Sequence, residues 1–179
     1  MTESLKFYKT FIDQCEAIDL CVKQNYVLPS LCLIYSGIDA AAWVAFGDIS
    51  VKKRFIDFVS NYMYKEKELA PKPIDLYAAR CAVLHTMTPD SQFLDRNQAV
   101  PLNYAWGTAS LEELKKSSEA IRPGELSYVH LSDLAQSFKL GLARFVENDA
   151  NEQGCKDRMK KHYAGLSKEI ISEFNKPNV

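Results

Sequence analysis

The sequence is poor in the residues that mark ready-made chemistry. Its three histidines, His85, His130 and His162, lie far apart, and its five cysteines contain no Cys-x-x-Cys pair. There is no His-Glu-x-x-His segment and no calcium-binding loop, so no metal is expected. The seven glycines are scattered, without a GxGxxG or Walker pattern to cradle a phosphate. No serine sits in a nucleophile elbow. Together these absences remove the common metal, nucleotide and hydrolase signatures, and no cofactor is expected.

Charge of one sign is also lacking. Lys and Arg number 22, Asp and Glu 23, and the formal net charge is -1. A protein that coats nucleic acid with its whole surface is basic, so any nucleic-acid contact must be local. The odd number of cysteines, four of them (Cys15, Cys21, Cys32 and Cys81) among apolar residues, argues against a disulfide framework and for a reducing, cytoplasmic compartment. The first six residues, Met1 to Lys6, carry no basic segment followed by an apolar run and do not read as a signal peptide.

What is present is helical periodicity. The chain has 179 residues and is 47% hydrophobic, enough for one domain, 1–179, with a sizeable core. Residues 4–24 space Leu5, Tyr8, Phe11, Ile12, Cys15, Ile18, Cys21 and Val22 as one helix face. Asn25-Tyr26 breaks it, and Pro29 suits the first turn of a second helix. The stretch from Leu28 to Phe46 approaches membrane-span length, but it contains Pro29, Ser30, Ser36, Gly37 and Asp39. It reads as a buried central helix, with no membrane partner. Gly47-Asp48 ends it. Ser50 or Asp48 caps a third helix with the stripe Phe55, Phe58, Val59, Tyr62 and Met63. After a loop marked by Pro71 and Pro73, a helix from Ile74 to about Met87 stops at Thr88-Pro89-Asp90.

Residues 91–130 read as an irregular insertion after the core helices of 4–90. Val100–Trp106 and Leu126–Leu131 look extended and suggest a small β-hairpin around a helical segment, Ser110–Ile121, with Arg122-Pro123-Gly124 as a turn. C-terminal helices occupy 131–175: one capped by Ser132 or Asp133 and running to about Glu147, another from about Glu152 to Phe174. The expected fold class is mainly α, a helical bundle with a small β insertion.

The segment most suggestive of function is Asp75-Leu76-Tyr77-Ala78-Ala79-Arg80-Cys81-Ala82-Val83-Leu84-His85. It puts a guanidinium and an imidazole on one largely apolar helix. Five residues correspond to about 500° around an ideal helix, so Arg80 and His85 are expected to diverge by about 140°. They meet only if the helix loosens near His85 or a second copy of the chain brings them together. A charged side chain on an apolar helix also needs a partner, and Asp39, inside the apolar run Ile34–Ala40, is the natural one for Arg80.

This segment resembles the Arg-x4-6-His motif of the HEPN superfamily of all-helical domains, matched by Arg80 and His85 with a spacing of four. The resemblance covers the bundle loosely, about residues 4–147, and is specific only over this segment. It implies an α-bundle, a homodimer whose two motifs line a shared cleft, and metal-independent endoribonuclease activity that leaves a 2′,3′-cyclic phosphate. It further implies a toxin or host-defence role, with RNA as substrate and an antitoxin or regulatory protein as partner. In such a site histidine moves protons near neutral pH, while arginine holds the phosphate and offsets developing charge. Family members tend to carry an acidic residue on an earlier helix to orient the arginine, and Asp39 is the candidate for that position. The residue after the arginine is commonly Asn or Asp; in this chain it is Cys81.

Other candidates have a plainer reading beside the functional one. Tyr77 reaches a phosphate or packs in the core. Lys52, Lys53 and Arg54 form an RNA-facing patch or a solvated helix start. Tyr104 and Trp106 stack bases or pack on the bundle. For Arg80 and Asp39 the plainer reading is a structural ion pair, and for His85 a helix-end histidine bonded to terminal carbonyls. The alternative function is therefore a non-catalytic helical module for dimerisation, nucleotide binding or partner binding.

Overall fold

In the computed structural model, which describes residues 3–85, 98–121 and 124–161, the chain is a helical bundle carrying a two-stranded sheet. Helix α1 is Glu3–Lys23 and α2 is Val27–Phe46. They are separated by a turn in which Asn25 takes a positive φ of 58°. Helix α3 starts at Val51–Phe58, widens into a π-helical segment at Val59–Met63, and returns to α geometry for Tyr64–Glu66. Helix α4 is Pro73–His85, β1 Leu102–Ala105, α5 Leu111–Ile121, β2 Ser127–His130 and α6 Leu131–Asn148. A last helix, α7, is described over 153–161.

Periodicity places the elements as expected. The α3 stripe of Phe55, Phe58, Val59, Tyr62 and Met63 is buried throughout. Ser50 caps α3 by accepting the Lys53 backbone N–H at 3.3 Å, while Asp48 instead accepts the Trp43 indole N–H at 3.0 Å. Helix α2 is long and apolar enough to cross a membrane by length and composition, and half of its most apolar window is buried in the fold. It packs on α1, α3, α4 and α6, and nine of its residues are buried, among them Ile34, Tyr35 and Ile38. All five cysteines are free thiols.

Two local expectations need correction. The strands pair, but in parallel, with Leu102 opposite Ser127 and Ala105 opposite His130, so they are not a hairpin. Helix α5 lies between them in sequence and supplies the crossover that a parallel pair requires. The cap of α6 is His130, whose Nδ1 accepts the Ser132 backbone N–H at 3.3 Å, rather than Ser132 or Asp133. The expected stop at Thr88-Pro89-Asp90, most of the 122–124 turn, His162 and the extension of the last helix to Phe174 fall outside the described residues.

Among the described residues, two side-chain hydrogen-bond links tie the sheet region to the bundle, beside the apolar packing of Val129 in the core. Asp75, 3% exposed, accepts the Lys72 backbone N–H at 2.9 Å and the Val100 backbone N–H at 2.8 Å. Its carboxylate thus joins the start of α4 to the chain entering β1. Tyr104 of β1 and the fully buried Tyr35 of α2 share a hydroxyl–hydroxyl bond of 2.6 Å. Tyr104 is therefore a packing residue of the bundle, whereas Trp106 is 48% exposed.

Candidate functional site

Packing fixes where α2, α3 and α4 meet. The fully buried Phe55 of α3 lies edge-on to Tyr77 of α4, ring centroids 5.5 Å apart, and 6.4 Å from Tyr35 of α2. Tyr35 lies four residues before Asp39, and Tyr77 three before Arg80, so each acidic or basic group stands about one helical turn from the aromatic plug. Arg54 adjoins Phe55 in the chain. The aromatic cluster thereby sets the height at which Asp39 and Arg80 meet, with Arg54 near enough for its charge to act on the Asp39 carboxyl.

The Asp39–Arg80 pairing expected from the sequence is present. Arg80 Nε donates to Asp39 Oδ2 at 2.7 Å and Nη2 to the same oxygen at 2.5 Å. The Arg80 and Asp39 side chains are 13% and 18% exposed, respectively. Burial raises the Asp39 carboxyl above the ordinary range, while Arg80, Arg54 and His85 pull in the opposite direction. Burial also works against the Arg80 guanidinium, but its hydrogen bonds and attraction to Asp39 outweigh that and hold it above its usual value. The second Asp39 oxygen, Oδ1, is buried and has no hydrogen-bond partner among the described residues.

Arg80 and His85 do meet, within one chain and on a helix that remains regular through His85. Arg80 Nη1 lies 3.1 Å from His85 Nε2. The expected divergence of about 140° describes where side chains leave the helix. The reach of the long arginine closes that angle, so neither a loosened helix nor a second subunit is needed for the contact. A guanidinium only donates, so Nε2 must be the acceptor and the ring proton of the neutral imidazole sits on Nδ1. The His85 side chain is exposed.

Of the supporting residues, Tyr77 is a core tyrosine, 7% exposed, with the Arg80 guanidinium 6.0 Å from its ring centroid, at the outer limit for a cation–π contact. Burial pushes its hydroxyl up, with the neighbouring Cys81 adding to the shift. Cys81 is half-buried, and its sulfur lies 3.9 Å from Arg80 Nη1, a weak acceptor beside the cation. The basic run of α3 divides. Lys53 is solvent-facing and pairs with Asp57 at 2.6 Å, Lys52 is half-buried, and Arg54 turns inward with its Nε buried. The sequence signal for the inward turn of Arg54 is its position four residues before the core residue Phe58, which places it at the edge of the buried stripe.

Among the described residues, no group of three or more His, Cys, Asp or Glu side chains is arranged to hold a metal ion. The cluster is instead suited to an anion: two guanidiniums and an imidazole around a single carboxylate. Comparison with protein-family models, curated proteins and solved structures finds no match for the chain.

Proposed function

We propose that the protein is a HEPN-like, metal-independent endoribonuclease of the cytoplasm, working as a homodimer in a toxin or host-defence setting, with Arg80 and His85 as its catalytic residues. The observation that carries the reading is the 3.1 Å contact between Arg80 and an exposed His85. Arg80 has five N–H donors. Two are spent on Asp39 and one on His85, which leaves for a phosphate one hydrogen on Nη2 and one on Nη1 that meets only the weak acceptor Cys81. Asp39 holds the fork in place, so little side-chain freedom is lost when substrate binds.

In this reading the ribose 2′-OH attacks the adjacent phosphorus, and the 5′-oxygen of the next nucleotide leaves. One base takes the 2′-proton and one acid protonates the leaving oxygen, giving a 2′,3′-cyclic phosphate and a 5′-hydroxyl. A phosphate that accepts the Nη1 hydrogen directed at His85 frees Nε2 to accept a proton. One histidine cannot comfortably serve both proton transfers on one pass, and the second histidine of a dimer supplies the other. Arg80 offsets charge that grows on the non-bridging oxygens.

A second reading has its own observation. The Asp39–Arg80 pair is mostly buried and ties α2 to α4, which a non-catalytic helical module for dimerisation, nucleotide binding or partner binding would also need. Incubating the purified protein and its His85→Ala variant with single-stranded RNA separates the two. The nuclease reading expects cyclic-phosphate ends from the wild type and a loss of about 100-fold or more in the variant. Equal cleavage, or none by either, removes it and leaves the module.

A further inference from the structure

Arg54 carries a feature that the Arg80–His85 pair does not explain. Its Nε–H is buried without a hydrogen-bond partner among the described residues, although its charge is near enough to act on Asp39. A buried donor left unmade is costly, and a guanidinium more so, which makes an inward-turned arginine with an idle fork a poor purely structural device. The usual escape, a long basic side chain that snorkels to solvent from the helix start, is the course its neighbour Lys53 takes. Phe55, packed between Tyr35 and Tyr77, instead anchors this turn of α3 at the junction with α2 and α4.

We infer that Arg54 is a second phosphate-binding guanidinium of this site, and that Arg54 and Arg80 together clamp the phosphodiester of a single-stranded nucleic acid. This rests on the nuclease reading for the identity of the ligand, but not on catalysis. The charge count favours a diester. With His85 neutral, as its contact with Arg80 requires, two guanidiniums and the Asp39 carboxylate sum to +1, which one phosphodiester anion balances. Asp39 occupies the inner side of Arg80 through Nε and Nη2, so the ligand meets the outer side of the fork. Arg54 approaches from α3 and grips the same phosphate from a different helix, fixing its orientation relative to His85.

The test uses an oligodeoxynucleotide, which has the diester but no 2′-OH and cannot be cleaved by this chemistry. The intact 15N-labelled protein is titrated with a short single-stranded oligodeoxynucleotide while the arginine Nε–H resonances are followed. The expected result is a saturable shift of the Arg54 Nε–H alongside that of Arg80. The Arg54→Lys variant, which keeps the charge but loses the fork, should bind about tenfold more weakly with an unchanged thermal midpoint. An Arg54 resonance that stays fixed while Arg80 responds overturns the inference, as does one that reports a bond to Asp39 at saturation. If Arg54→Lys folds poorly, the wild-type titration decides alone. Failure of RNA cleavage with an intact Arg54 response removes the nuclease reading and retains the clamp; His85-dependent cleavage with a silent Arg54 does the reverse.

Discussion

Arg80 and His85, five residues apart on one helix, are joined by a contact of 3.1 Å between Nη1 and Nε2. Because the arginine has no acceptor, the contact dictates the histidine tautomer. At a pH where His85 is neutral, a long-range 1H–15N spectrum should show its proton on Nδ1. Arg80→Ala should release that preference, and an Nε2-protonated ring in the wild type would contradict the contact.

The Asp39–Arg80 pair should behave as a coupled unit. Removing either partner leaves the other charge mostly buried and uncompensated, so Asp39→Ala and Arg80→Ala should each cost about 3 kcal/mol in urea unfolding. The double variant should lose clearly less than the sum, because neither orphaned charge remains. Additive losses would mean that the two side chains do not depend on one another.

Helix α5 has a reciprocal cap. The Ser110 backbone N–H donates to Glu113 Oε2 at 2.8 Å, and the Glu113 backbone N–H donates to Ser110 Oγ at 3.1 Å. The bond from the Ser110 backbone, followed by that from its side chain, holds the Glu113 carboxyl below its ordinary value. The sign follows from that depression: the contribution is complete above the ordinary glutamate pKa of about 4.3 and disappears as pH falls through the lower folded value. Carbon-13 titration of Glu113 should find it below free glutamate. Protection of the Ser110 amide should fall in the same acidic range, and a normal titration would show the cap to be unformed.

Helix α6 approaches the π-helical segment of α3 through Gly141. A methyl group there would lie 2.7 Å from the Met63 Cα and 2.8 Å from its backbone nitrogen, so the helices would have to separate. Gly141→Ala should therefore destabilise by about 1–3 kcal/mol despite its better helix propensity. A thermal midpoint at or above that of the wild type would contradict the close approach.

The helices were legible along the chain, because apolar periodicity and capping chemistry act within a turn or two of backbone. The buried stripe from Phe55 to Met63, the Ser50 cap, and Pro29 in the first turn of α2 are all of this kind. The Asp39–Arg80 pair was also legible, since a charge in an apolar run demands an opposite charge. The direction of strand pairing was not, because it depends on where α5 returns the chain in space. Spacing places Arg54 at the edge of the α3 stripe, four residues before Phe58, but only the packed helices show that its Nε is buried without a partner among the described residues. The fold also brought Arg80 onto His85: helical angle fixes where a side chain begins, whereas the reach of a long guanidinium, held by a carboxylate from another helix, fixes where it ends.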